Sequence, residues 1–392
     1  MKNLILMSFL LINFFNLFSQ TKYPGLYSED YEEILNGLES IVEYNDQEAI
    51  DILHSLIEEQ TPYVQLNYLR VLSLLSDEEI IKYCNDFISR TDSFSTYEYK
   101  EDPLEMRVKA TKILMENRDF STIDYVFEYF NLYKPDFNSL QKDVLTLFPL
   151  IAINVPSTLS QIENDLDYVF NNSTIGQNRF TALFTFNEIF GENVLNQALI
   201  GIDDDEHSIR NFSLNLLVEY EYNDLNNLLK GRLLEDPGRS MRTKMAELLL
   251  KKYGAPSDLK FVIDYQPTEI HTTSKSLMGF YIQNFIPPKP DTLDWNGLAT
   301  KLITYTDELL QYGWIANHQT KDFYSTRLEG IISLINQTNE IDSACAIMSD
   351  QLLPQAEQDL LEELITTEGY KFLHYYSVYI KDDIKEEFGQ CP

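Results

Sequence analysis

The feature that most constrains this chain is a recurring acidic turn followed, at a fixed interval, by an arginine. One copy reads Asp204-Asp205-Glu206-His207-Ser208-Ile209-Arg210-Asn211-Phe212-Ser213 and runs on to Leu216-Leu217. The next reads Asp236-Pro237-Gly238-Arg239-Ser240-Met241-Arg242, followed by Ala246 and Leu248-Leu249-Leu250. In both, an Asp lies six residues before an Arg, and the two arginines are 32 residues apart. A third copy, Asp102-Pro103-Leu104-Glu105-Met106-Arg107-Val108-Lys109-Ala110, leads to Ile113-Leu114 and shortens the Asp–Arg interval to five. Weaker copies begin at Arg179, with Ala182, Phe184 and Phe186, and at Gln65, between Pro62 and Val71-Leu72. The interval from Arg107 to Arg179 leaves room for one degenerate unit around Lys142 to Leu147.

Each copy has the chemistry of a loop that opens an amphipathic helix. Asp or Pro near the start serves the first turn, where backbone N–H groups have no helical partner. Apolar residues three and four apart then mark the stripe that packs inward. Between copies lies a second helical stretch, such as Leu225-Asn226-Asn227-Leu228-Leu229-Lys230 or Leu259-Lys260-Phe261-Val262-Ile263. Two short helices cannot bury their apolar faces alone, whereas stacked pairs share a continuous core. The expectation is an all-α chain whose residues 21–286 form a curved α-solenoid of helix pairs.

These residues resemble the HEAT-repeat family over roughly 31–285. The family places an Asp in the turn between helices, an aliphatic-Arg pair opening the second helix, and a small residue three positions later. Ile209-Arg210 with Ser213 and Met106-Arg107 with Ala110 fit that pattern, while Met241-Arg242 has its alanine, Ala246, one place late. The resemblance implies that Asp102, Arg107, Asp204, Arg210, Asp236 and Arg242 ladder between neighbouring repeats as structural parts. A ladder of arginines that binds an anionic ligand is the functional alternative.

Three prolines in the stretch Phe285-Ile286-Pro287-Pro288-Lys289-Pro290-Asp291 cannot continue a helix, so residues 287–292 are expected to be a stiff extended linker. Residues 293–392 turn helical again, in stripes such as Leu298, Leu302, Tyr305, Leu309 and Tyr324, Leu328, Ile331. A third stripe holds Ala344, Met348 and Leu352, with turns expected at Gly313, Asn336–Asn339 and Pro354. Tyr312-Gly313-Trp314-Ile315, Tyr324 with Leu328, Ala344-Cys345 with Met348, and Glu368-Gly369-Tyr370-Lys371-Phe372-Leu373 carry a second resemblance. Over about 293–389 the spacing is similar to the small helical bundle called the FIMAH domain, found at the C-termini of secreted bacterial proteins. That resemblance implies an accessory or adhesive role and no catalytic residues.

At the N-terminus one lysine precedes an apolar run from Leu4 to Phe18, and Ser19-Gln20 ends it. Residues 1–20 therefore read as a secretory signal peptide, too short and too often interrupted by asparagine for a membrane span. Export (periplasmic, cell-surface or secreted) permits a disulfide, and of Cys84, Cys345 and Cys391 only the last two fall in one expected domain. Net charge is −32, which argues against nucleic acid and anionic membrane surfaces as partners. A solvated, acidic surface is the plain reading of that charge, and a basic protein or peptide is the partner it would favour.

Catalytic signatures are sought and not met. His54, His207, His271, His318 and His374 never approach the HExxH spacing that holds zinc on one helix face. No Gly-x-Ser-x-Gly elbow and no glycine-rich phosphate loop is present. Asp203-Asp204-Asp205-Glu206 is consecutive rather than alternating and lacks the glycine of a calcium loop, so it reads as a solvated turn. The chain is thus expected to be a non-catalytic scaffold without metal or cofactor, binding a protein or peptide. A carbohydrate or cell-wall adhesin acting through the C-terminal bundle, and a lyase or hydrolase with a dispersed site, are the alternatives.

Overall fold

The computed structural model describes residues 22–94, 102–138, 142–338, 340–389 and 391. The signal peptide expected at 1–20, and Asn339 of one expected turn, lie outside the described residues. Every described element is helical, and the only extended pairing among the described residues is a single antiparallel bridge between Ile315 and Ile365. The all-α expectation holds.

Two compact units divide the chain, Met1–Tyr220 and Glu221–Pro392. The first contains α1 (Tyr31–Tyr44), α2 (Ile50–Leu56), α3 (Pro62–Leu74), α4 (Ile80–Phe94), α5 (Pro103–Glu116), α6 (Asp124–Tyr133), α7 (Phe148–Asn154), α8 (Leu159–Asn172), α9 (Gly176–Phe190), α10 (Leu195–Gly201) and α11 (His207–Glu219). Some of its helices begin where a side chain or a proline meets the needs of the first turn. The Asp30 carboxylate accepts from Glu32 N–H at 2.8 Å to open α1, and Asp102 accepts from Leu104 N–H at 3.0 Å to open α5 behind Pro103. Once formed, alternate helices lie against each other: α1 on α3, α3 on α5, and α9 on both α7 and α11. The intervening helices cover them, with α4 against α5, α8 against α9 and α10 against α11. Ile34, Leu38 and Ile41 of α1, Leu69 and Leu72 of α3, Phe87 of α4 and Leu114 of α5 are all buried in one apolar core. Burying each of these side chains contributes about 1.5–3 kcal/mol.

The second unit contains α12 (Leu225–Glu235), α13 (Arg239–Leu248), α14 (Pro256–Tyr265), α15 (Thr272–Gln283), α16 (Trp295–Gln311), α17 (His318–Ser333), α18 (Ile341–Ala346), α19 (Leu353–Leu361) and α20 (Thr367–Phe388). The helix-pair pattern continues in α12–α13 and α14–α15, with α13 resting on α15. The C-terminal helices surround α20, which packs on α16, α18 and α19. Trp314, Tyr305, Phe372 and Tyr376 interlock there, with ring centroids 5.3–6.3 Å apart where Tyr305 and Trp314 meet the α20 rings. Cys345 and Cys391 form a disulfide, with Cα atoms 5.2 Å apart.

The units do not divide at the prolines. Residues 287–292, expected as a linker, are fastened to α20 within the second unit. Tyr379 Oη donates to the Pro287 carbonyl at 2.9 Å, and Lys289 pairs with Asp383. Lys371 Nζ donates to the Ile282 and Gln283 carbonyls at 3.0 and 2.8 Å, satisfying the open C-terminus of α15, while Phe285 packs on Phe372. Pro288 also presses on Gly254, whose φ is +54°; a Cβ there would lie 2.2 Å from the proline Cδ and 2.7 Å from the Leu250 carbonyl. Only glycine tolerates both the left-handed backbone and that approach.

The turn expected at Pro354 is a correction. The chain runs from α18 through a wide π-helical segment, Ile347–Leu352, straight into α19, where Pro354 occupies the first turn.

Candidate functional site

The repeat residues fall into one recurring geometry, apart from Asp102 and Arg107. Arg179, Arg210 and Arg242 sit in the first turns of α9, α11 and α13, and each guanidinium donates to a carbonyl six residues back. The acceptors are Ser173 at 3.0 Å, Asp204 at 2.8 Å and Asp236 at 2.6 Å. Gln65 of α3 also reaches back, its Nε2 donating to the Gln60 carbonyl, five residues earlier, at 2.8 Å. In Arg179 and Arg242 the far edge of the guanidinium meets a carboxylate in the turn before the next such helix. Arg179 holds Asp204 through Nε–Oδ2 at 2.8 Å and Nη2–Oδ1 at 2.7 Å. Arg242 holds Glu269 through Nε–Oε2 at 2.8 Å and Nη2–Oε1 at 2.9 Å. The carboxylate in turn accepts the N–H two residues on, Glu206 for Asp204 and His271 for Glu269, which shapes the turn into the helix. Asp236 accepts from Gly238 N–H at 2.6 Å in the same way.

Arg107 departs from this scheme. Its Nε donates to Thr91 Oγ1 at 2.7 Å and its Nη2 pairs with Asp92, both on α4, while Asp102 caps α5 and accepts from Tyr133 Oη at 2.7 Å. The acidic run at 203–206 is likewise engaged, since Asp204 and Asp205 both meet Arg179.

The open surface lies elsewhere, on α1, α3 and α5. On α3, Tyr63, Asn67, Arg70 and Leu74 recur at intervals of four, three and four, which places them along one helix face. Three clefts meet at Tyr63, and two of them run along that face. The first, about 850 Å³, is lined by Ser28, Glu29, Ile34 and Gln60 together with Tyr31 and Tyr63. The second, about 430 Å³, runs from the same two tyrosines over Leu35, Glu39 and Glu43 to Asn67 and Arg70. The third, about 420 Å³, continues from Tyr63, Asn67 and Arg70 to Leu74, Lys109 and Lys112. Tyr63 lines all three.

Tyr63 is 41% exposed, and its ring centroid is 5.4 Å from that of Tyr31. Lys109 Nζ is 5.8 Å from the Tyr63 centroid and 2.8 Å from Glu105 on its own helix. Arg70 and Lys112 are exposed and make no ion pair among the described residues. The trough is therefore graded in charge, acidic at Glu29, Glu39 and Glu43 and basic at Arg70, Lys109 and Lys112. Neither its tyrosines nor its cations were picked out in the sequence; the spacing along α3 is the signal that could have found them.

Groups that could do chemistry are dispersed and engaged. His54 bonds Asp77 at 2.8 Å and lies at a tilt against Tyr83, ring centroids 4.5 Å apart; His374 bonds Tyr370 Oη at 3.1 Å. Burial pushes the Cys84 thiol up to about 12, so its thiolate is scarce at neutral pH. No group of three or more His, Cys, Asp or Glu among the described residues is placed to hold a metal ion. No described helix is long and apolar enough to cross a membrane. Comparison with protein-family models, curated proteins and solved structures finds no match to the chain.

Proposed function

We propose that this chain is an exported, non-catalytic scaffold that binds a protein or peptide through the surface of a HEAT-like solenoid. Three clefts joined by Tyr63 carry the reading, because an open trough lined by aromatic, apolar and charged side chains suits an extended segment of polypeptide better than a small substrate. The repeated clamp of Arg179 on Asp204 and of Arg242 on Glu269 supports the solenoid part of the reading, since it ties each turn to a helix roughly one repeat away. Arginines committed to such clamps are joinery, which argues against an anion-binding ladder.

The test is comparative capture from the native envelope with the full chain and its Tyr63→Ala variant. A protein retained by the parent chain and lost with Tyr63→Ala, at unchanged melting temperature, supports the reading. Equal retention by both chains overturns it.

A further inference from the structure

Resting on that reading, we propose that the trough takes an extended acidic segment, whose carboxylates meet Arg70, Lys109 and Lys112 and whose apolar side chain covers Tyr63. The inference runs against the chain's overall charge, which favours basic partners. With 62 acidic and 30 basic residues, a surface chosen at random on this molecule is negative. The third cleft reverses that: its wall carries three cations and one carboxylate, Glu116. Arg70 and Lys112 have no carboxylate partner among the described residues, although acids are twice as abundant as bases, so both present donors to a ligand. Lys109 is half committed to Glu105 and leans over Tyr63, where it extends the positive wall towards the aromatic ring. Leu74, 53% exposed, and Tyr63 supply apolar contact area between the charges.

Attraction and repulsion then act together. An acidic segment gains charge-assisted hydrogen bonds from this wall and is repelled by the acidic side chains around it, which favours one register. A basic segment would find Glu29, Glu39 and Glu43 at the other end, but it would be drawn equally to many other acidic patches on the chain and gains no register from this trough.

The experiment uses fluorescence anisotropy on the full chain with three labelled peptides of equal length. One is built of Glu, Leu and Phe, a second replaces each Glu by Gln, and a third replaces each Glu by Lys. The Glu peptide is expected to bind, to lose about tenfold affinity with Arg70→Gln/Lys112→Gln, and to weaken as salt rises. Both positions are exposed, so the double variant is expected to keep the parent's melting temperature. If the Gln peptide binds as tightly as the Glu peptide, and Tyr63→Ala weakens both, the trough is a peptide site but the acidic preference is overturned. Tighter binding of the Lys peptide overturns the preference in the same way. If no peptide binds, the inference and the reading beneath it both fall.

Discussion

Arg242 and Glu269 face each other through two parallel hydrogen bonds with their side chains 9% and 0% exposed. The pair joins the first turn of α13 to the turn preceding α15, and the same guanidinium satisfies the Asp236 carbonyl. Breaking it leaves a buried guanidinium without its counter-charge. Glu269→Gln is expected to cost about 3 kcal/mol. The two tryptophans of the chain, Trp295 and Trp314, are buried in the second unit, so urea unfolding followed by tryptophan fluorescence reads that unit directly. A midpoint equal to the parent's would remove the clamp from the structural account.

The same pair sets a pH dependence. The hydrogen bonds from Arg242 hold the Glu269 carboxyl at about 2, down from 4.5. A group whose pKa is depressed by folding stabilises the native state fully above its unfolded value and loses that contribution as pH falls towards its folded value. The contribution, on the order of 3 kcal/mol, is therefore present above about pH 4.5 and lost between there and about pH 2. Urea midpoints measured across that window should fall more steeply for the parent chain than for Glu269→Gln. Parallel slopes would count against it.

Gly254 is expected to be intolerant of the smallest side chain. Its φ of +54° and the 2.2 Å approach of Pro288 make Gly254→Ala destabilising by about 1–3 kcal/mol, with the tryptophan fluorescence of the second unit as the readout. Gly231, inside α12 with open space around its missing Cβ, is the control: Gly231→Ala should be neutral or stabilising.

The disulfide predicts a thiol count. Denatured under non-reducing conditions, the chain should show one reactive thiol, Cys84, and the native chain none, because Cys84 is buried. Cys391→Ser should lower stability by about 2–4 kcal/mol, as expected for releasing a bridge between residues 46 apart. Three reactive thiols in the denatured chain would contradict the pairing.

Helices and their starts were legible because they depend on local chemistry. Asp102, Asp204 and Asp236 announced the turns, and the apolar spacing announced the helices. Glu269 was missed although it lies 33 residues after Asp236, one repeat on, because a Glu stands where the pattern calls for Asp and no aliphatic-Arg pair follows it. The fastening of residues 287–292 was illegible for a different reason: its partners, Tyr379 and Asp383, lie some 90 residues further on, and nothing local marks them. The trough was hidden for a third reason. Tyr63, Arg70 and Lys112 look like ordinary solvated helix positions until α1, α3 and α5 are set side by side.

Hydrogen–deuterium exchange of the full chain, with and without the Glu, Leu and Phe peptide, tests the central claim most directly. The account predicts slower exchange on binding in Tyr31–Tyr44, Pro62–Leu74 and Pro103–Glu116, and the loss of that protection in Tyr63→Ala. Protection confined to the helices around α20, or protection of the three segments that survives Tyr63→Ala, would contradict it.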